Sequence, residues 1–269
     1  MSFKATVTDP RIFRMVLDAA GAIISEGDWL LSKDGLSLRS MDTQRAAMVD
    51  LTIGSSFFSE YEASKSQQIS INLDDLRKRL SKVGSQDTLS LELLPKTNQL
   101  KIEIHGRGTT TYTMQLRVPG EERISDPALD LDIGIKLVPD FLKEVVGKIG
   151  LFPESSIQIQ ATQDGKLTFQ SKYDENEAVI EVDKADESSI LDFQISEEEA
   201  SSPYSLEYLK KMVRLDADTL ELAFASGKPL RVMYGIGDAI KLQYLLAPYE
   251  AYDEDEDFDE DFDEDLDED

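Results

Sequence analysis

Apolar residues return along this chain with two different spacings, and the change from one to the other divides it into elements. Where they recur at every second position, the chain reads as half-buried strand. SLRSMDTQRAAMVDLTI, DTLSLELLPKTNQLKIEI, KLTFQSKYDENEAVIEV and DTLELAFASGKPLRVMYGI have this pattern, which suits antiparallel sheets with one wet face. Where apolar residues recur at three and four positions, the chain reads as amphipathic helix. Four segments qualify: PRIFRMVLDAAG from Pro10, LDDLRKRLSKV from Leu73, PDFLKEVVGKIG from Pro139 and SLEYLKKMVRL from Ser205. A helical wheel gives the first a core stripe of Ile12, Met15, Val16 and Ala19, and the second Leu73, Leu76, Leu80 and Val83. The third takes Phe141, Leu142, Val145 and Ile149, and the fourth Leu206, Leu209, Met212 and Val213. Asp34-Gly35 and Asp164-Gly165 lie between alternating runs, the short-range signature of a hairpin.

The pattern is stated twice. DTLSLELL from Asp87 answers DTLELAFA from Asp218, and NLDDLRKRL from Asn72 answers SLEYLKKMV from Ser205. These offsets are all near half the length of the chain without its last twenty residues, the mark of an internal duplication. The expectation is an α+β chain of two homologous domains, residues 1–116 and 136–249, with sheets covered on one side by paired helices. Residues 117–135, with Pro119-Gly120 and Asp126-Pro127, form a long connector between them. From Glu250 to Asp269 fifteen of twenty residues are acidic, so 250–269 is expected to be a disordered acidic tail.

Composition narrows the function. With 41% of its residues hydrophobic the chain can bury a core. It has no apolar run of the length that would span a membrane as a helix. The N-terminus lacks the layout of a secretory signal, so an intracellular location is expected. There is no cysteine, which removes disulfides, thiolate metal sites and cysteine nucleophiles together. The one histidine, His105, closes an alternating run with no serine nucleophile motif nearby and reads as a strand-edge residue. No GxxxxGK[ST] motif is present for a nucleotide. Asp74-Asp75 and Glu197–Glu199 could hold magnesium in a metal-dependent hydrolase or nuclease. They fall, however, at a helix start and in a loop, with no convergent polar set. The expectation is a protein that is not an enzyme, with no cofactor and no metal.

Charge then becomes informative by its placement. The formal net charge is −26, but basic residues gather on the helices, opposite the core stripes. They are Arg11 and Arg14; Arg77, Lys78 and Lys82; Lys143 and Lys148; and Lys211 and Arg214, with Lys210 toward one side. Four such faces in an acidic body imply a positive surface for a phosphate backbone. No aromatic residues interleave the cations, so stacking on single strands is not indicated. No zinc pattern or clear recognition helix is present either. Sequence-independent contact with double-stranded DNA fits better.

Trp29, Asp34-Gly35, the run Ser40-Met41-Asp42, Asp164-Gly165, SLEYLKKMV and PLRVMYGIGDAIKLQYLLAP, in this order and spacing, carry a resemblance. Over residues 1 to about 249 the chain resembles the DNA polymerase sliding clamps of the proliferating cell nuclear antigen type, in an archaeal form. The resemblance implies a homotrimeric ring around duplex DNA, with helices lining the hole and sheets outside. The alternative is a subunit of a heterotrimeric or checkpoint-type clamp. It implies that DNA polymerase, clamp loader, nuclease and ligase bind through a short apolar and aromatic peptide motif. The implied pocket is Met41, Ala46, Leu129, Leu131, Ile133, Pro229, Leu245, Leu246, Ala247 and Pro248. The implied subunit interface pairs strand edges through Thr111, Tyr112 and Met114 on one chain and Ala178 and Ile180 on the next. The implied place of work is the cytoplasm and nucleoid of an archaeon, or the nucleus of a eukaryote. The tail departs from the family in length and pattern. It reads first as a solvated acidic tail that aids solubility; the sharper alternative is that its Phe258, Phe262 and Leu266 dock on the apolar pocket, or that its carboxylates mimic DNA at the basic helices.

Overall fold

The computed structural model describes residues 2–7, 9–120, 124–125, 127–151 and 155–250; the expectations for the tail beyond Glu250 lie outside these. The first half runs β1 (Phe3–Val7), α1 (Pro10–Ala20), β2 (Glu26–Ser32), β3 (Gly35–Met41), β4 (Ala47–Gly54), β5 (Glu60–Ala63), β6 (Gln67–Asn72), α2 (Leu73–Leu80), β7 (Thr88–Leu94), β8 (Gln99–His105) and β9 (Thr109–Gln115). The second runs β10 (Ile133–Leu137), α3 (Pro139–Ile149), β11 (Ser156–Thr162), β12 (Lys166–Tyr173), β13 (Asn176–Asp183), β14 (Ile190–Ile195), β15 (Glu199–Ser205), α4 (Leu206–Met212), β16 (Thr219–Phe224), β17 (Leu230–Ile236) and β18 (Ile240–Leu246). The order of strands and helices is the same in both halves.

The sheets are antiparallel throughout. One holds β5-β1-β7-β8-β9, a second β13-β12-β11-β15, and a nine-stranded sheet runs β14-β10-β16-β17-β18-β4-β3-β2-β6. The last joins the two halves, since β18 pairs with β4 from Ile240↔Ile53 to Leu246↔Ala47. This ladder makes the halves one continuous wall, and neither has a free edge at that junction.

Local chemistry explains the boundaries. Asp9 caps α1 by accepting from the Arg11 amide at 3.2 Å. Pro10 opens the helix, where no amide partner is needed. Asn72 caps α2 in the same way, accepting from the Asp75 amide at 2.8 Å. Both Asp-Gly pairs make tight hairpins. Gly35 has φ +139, and a Cβ there would lie 2.1 Å from the Ile53 carbonyl oxygen. Only glycine fits such a position.

The core stripes of α2 and α4 are those expected: Leu73, Leu76, Leu80 and Val83, and Leu206, Leu209, Met212 and Val213, are all buried. Helix α1 differs. Its buried face is Phe13, Val16, Leu17 and Ala20 with Ala19, while Ile12 and Met15 are only half-buried. Two overlapping apolar stripes satisfy the same period in α1. Phe13 decides between them by stacking on Phe57 and meeting Phe58 edge-on, the two geometries that aromatic rings prefer. In α3, Val146 joins the buried set and Phe141 is half-buried. The connector is also shorter than expected, because Ile133 to Ile135 already belong to β10.

Candidate nucleic-acid interface and partner surface

Helices α1 and α2 pack as one pair and α3 and α4 as another. The same brace closes each pair. Arg77 of α2 lies over Gly21 at the end of α1, donating to the Gly21 carbonyl at 2.9 Å, to Asp18 at 2.8 Å and to Asp74 at 3.3 Å. Lys210 of α4 lies over Gly150 at the end of α3 and donates to its carbonyl at 3.2 Å. In both, a cation meets the negative end of a helix. In both, a Cβ on the glycine would collide with the brace, at 2.6 Å from Arg77 Cδ and 2.5 Å from Lys210 Cε. Sequence reading placed Arg77 among the cations free for DNA. Its guanidinium is instead half-buried between the helices, held by three acceptors.

The other helix cations are displayed outward. Lys78 and Lys82 are exposed with no carboxylate at ion-pair distance among the described residues. Arg14 donates to the Ser81 carbonyl at 3.2 Å, with Asp18 at 3.9 Å. Lys143 stands 3.4 Å from Asp216, and Lys148 pairs with Glu144 one turn back. Lys211 lies 2.7 Å from Glu207 and 5.1 Å from the centre of the Tyr208 ring. That ammonium holds the Glu207 carboxyl below its usual range. Arg214 folds back on the Lys210 carbonyl at 3.2 Å. Arg11 pairs with Asp9 at 2.9 Å and so holds the Asp9 carboxyl below its usual range. Such exposed pairs are worth little. Asp74 and Asp75, the acids that could have held magnesium, are committed to Arg77 and Arg79.

On the opposite surface, strand register lines up an apolar row. Met41 faces Met48, Met48 faces Leu245, and Leu245 faces Arg231. Met41 is 37% exposed, while Met48 and Leu245 are nearly covered. Ala46, Leu129, Leu131, Pro229, Ala247 and Pro248 are half-buried. Ile133 and Leu246 do not belong to this row, because both are fully buried. Alternation along a strand turns them to the core side, Ile133 opposite Phe224 and Leu246 opposite Leu230. Met48 and Arg231 escape the sequence reading. Counting from Leu245 across the pairing finds them, but pairing is not written in the sequence.

The start of the connector is clipped to the first half by polar contacts. The Arg117 amide donates to the Ser70 carbonyl at 3.1 Å and its guanidinium pairs with Glu26. The Gly120 amide donates to Asp28 at 2.8 Å, and Arg39, itself paired with Asp50, reaches the Ile124 carbonyl at 3.4 Å. Residues 121–123 and 126 of the connector lie outside the described residues. Across the halves, Tyr208 of α4 donates to Asp42 and, at 3.0 Å, to Gln44, fixing the turn that follows Met41.

Each sheet ends in two strands paired on one side only, β5 and β9, β13 and β15, and β14 and β6; β9 of the five-stranded sheet and β13 of the four-stranded sheet are the two on which the expected subunit interface falls. Tyr112 on β9 and Val179 on β13 are exposed at 36% and 49%. Met114 points inward and is buried, with Thr111 exposed and Ala178 and Ile180 half-buried.

A wall of antiparallel sheets with two braced helix pairs is the fold of a DNA clamp, and comparison with known proteins agrees. The N-terminal domain of the proliferating cell nuclear antigen matches residues 2–117. The DNA polymerase sliding clamp of Thermococcus gammatolerans is 32% identical over 250 residues, covering 92% of this chain and 98% of that one. That of Pyrococcus furiosus is 30% identical with the same coverage. Among solved structures, the PCNA of Thermococcus kodakaraensis superposes with a TM-score of 0.85 at 26% identity, covering 92% of this chain and all of that one. A PCNA2–PCNA3 complex from Sulfolobus tokodaii gives 0.81 at 25%, covering 91% and 98%. The chain belongs to the proliferating cell nuclear antigen family of DNA polymerase sliding clamps. The family is not enzymatic, which removes the hydrolase alternative.

Proposed function

We propose that three copies of this chain close into a ring around duplex DNA and tether DNA polymerase and other replication and repair enzymes to it. The observation that carries this reading is the repeated helix pair. In each half a brace turns inward to hold the helices, leaving Lys78, Lys82, Lys143, Lys148 and Lys211 outward for phosphate. Contact with phosphates alone carries no base information, so the ring slides. Edges β9 and β13 support closure: pairing them in a head-to-tail ring satisfies both exposed ladders. Residues 1–116 and 136–249 would be the two domains of each subunit. The row Met41, Met48 and Leu245, together with Leu129, Leu131 and Pro229, would receive an apolar and aromatic peptide from clamp loader, polymerase, nuclease or ligase. The protein would work inside the cell, on the genome of an archaeon.

Light scattering on a sizing column at two salt concentrations tests the ring, with three chains as the expected mass. Lys78→Glu with Lys82→Glu should leave that mass unchanged and weaken retention on circular DNA. The salt slope of binding should fall by about one for each lysine–phosphate pair removed. A monomer at every concentration that trimerises only with a paralogue would favour the mixed ring, the arrangement suggested by the two-component Sulfolobus complex. Unchanged DNA retention in the double variant would remove α2 from the interface.

A further inference from the structure

A second hollow lies on the wall of the second half, apart from the apolar row around Met41. It encloses about 310 Å³ between β10, β14, β16, β17 and the start of β18. Lys136 faces Glu221, Glu221 faces Met233, and Gly235 faces Lys241. Register therefore puts Lys136, Met233, Gly235 and Lys241 on one face of the sheet. Gly235 leaves the floor open where any side chain would meet Thr219. Leu191 overhangs the rim with 62% of its surface exposed. It is the extra residue where the β10–β14 register shifts, and a bulge of this kind re-aims a side chain. The hollow therefore offers apolar walls and two lysines. Neither lysine has a carboxylate at ion-pair distance among the described residues, and Glu221 between them pairs with Arg231 instead.

An apolar hollow flanked by unpaired ammonium groups suits an acidic segment that carries large apolar side chains. The chain contains one: DEDFDEDFDEDLDED, in which Phe258, Phe262 and Leu266 recur every fourth residue among carboxylates. We propose that this tail docks in the hollow, with Phe262 or Leu266 against Met233 and Leu191 and neighbouring carboxylates on Lys136 and Lys241. Reach permits it. From Glu250, Lys241 lies nine residues back along the chain, about 30 Å at strand rise. Phe262 is twelve residues beyond Glu250 and spans about 40 Å when extended, and Leu266 spans more. The spacing of four also serves, because residues four apart share a face in either a strand or a helix. Docking there would hold the tail's negative charge on the wall and away from the helix cations, where it would compete with phosphate.

Because the chain has no cysteine, Asp263→Cys gives one labelling site in the full-length protein. With a photo-cross-linker on that thiol, cross-links should fall on peptides containing Leu191, Thr219 and Met233. They should be mostly lost in Lys136→Glu with Lys241→Glu, and reduced in Leu191→Ser, a substitution at an exposed side chain that leaves the fold intact. They should also weaken with rising salt. Cross-links on α1 to α4, on the row around Met41, or spread without preference would each overturn the proposal, as would a pattern that ignores both charge and Leu191 substitutions. The readout is independent of ring closure and of DNA.

Discussion

At the scale of single residues, cations of the same type do different work according to what lies beneath them. Arg77 and Lys78 are adjacent in sequence, yet one is a brace and the other points to solvent. Arg77→Ala should destabilise the chain by about 1–3 kcal/mol, as expected for losing hydrogen bonds to a charged group. Lys78→Ala should stay within about 0.5 kcal/mol, as exposed substitutions do. Urea denaturation of the two variants separates them, and equal losses would refute the distinction. A buried hydroxyl gives a second residue-scale prediction. Tyr244 is fully enclosed, its ring edge-on to Tyr234, and its oxygen has no partner among the described residues. Burial pushes its phenol well above the usual range. Tyr244→Phe should therefore be neutral, or stabilising by up to about 1 kcal/mol, because it removes a desolvated group and no hydrogen bond. A clear loss of stability on thermal unfolding would show that the hydroxyl is satisfied after all.

At the scale of elements, the turn between β13 and β14 shows how a carboxylate sets acid stability. Asp186 accepts from the Ser188 amide at 3.1 Å, from the Ser188 hydroxyl and from the Ser189 hydroxyl at 3.1 Å. These bonds, the Ser188 hydroxyl first, hold its carboxyl below the ordinary 3.8. The Ser189 carbonyl in turn accepts from Val138, the residue before α3. A group whose folded value is depressed contributes fully above its unfolded value and loses that contribution as the pH falls through the folded one. Asp186→Asn should therefore lower stability at neutral pH and flatten the loss on acidification below about pH 4. Parallel acid-unfolding curves for the two proteins would contradict this.

At the scale of the molecule, the decisive features are the edges. Strands β9 and β13 each end a sheet with one ladder of backbone groups open. Val179→Lys places a charge on the edge strand β13, a device that natural edges use against pairing. In the ring proposed above it should shift the assembly from three chains toward monomers in sedimentation at micromolar concentration, with little change in the secondary structure of the chain. A ring that survives unaltered would mean that closure runs through a different surface.

The sequence by itself determined the element types, the duplication and the placement of most cations, because these follow from local periodicity and from capping and turn chemistry. The stripes of α2 and α4, both Asp-Gly hairpins and the family were legible in that way. Other features needed the tertiary structure, for one physical reason: they depend on which strand lies beside which and on what fills the space over a helix end. The choice between two stripes in α1 came from Phe57 and Phe58 across the core. The inward turn of Ile133 and Leu246, away from Met41 and Leu245, followed from strand pairing that local pattern does not encode. So did the joining of both halves into one nine-stranded wall through β18 and β4. The braces are the clearest case. Arg77 and Lys210 look like any exposed helix cation until Gly21 and Gly150, distant along the chain, leave room for them to fold inward.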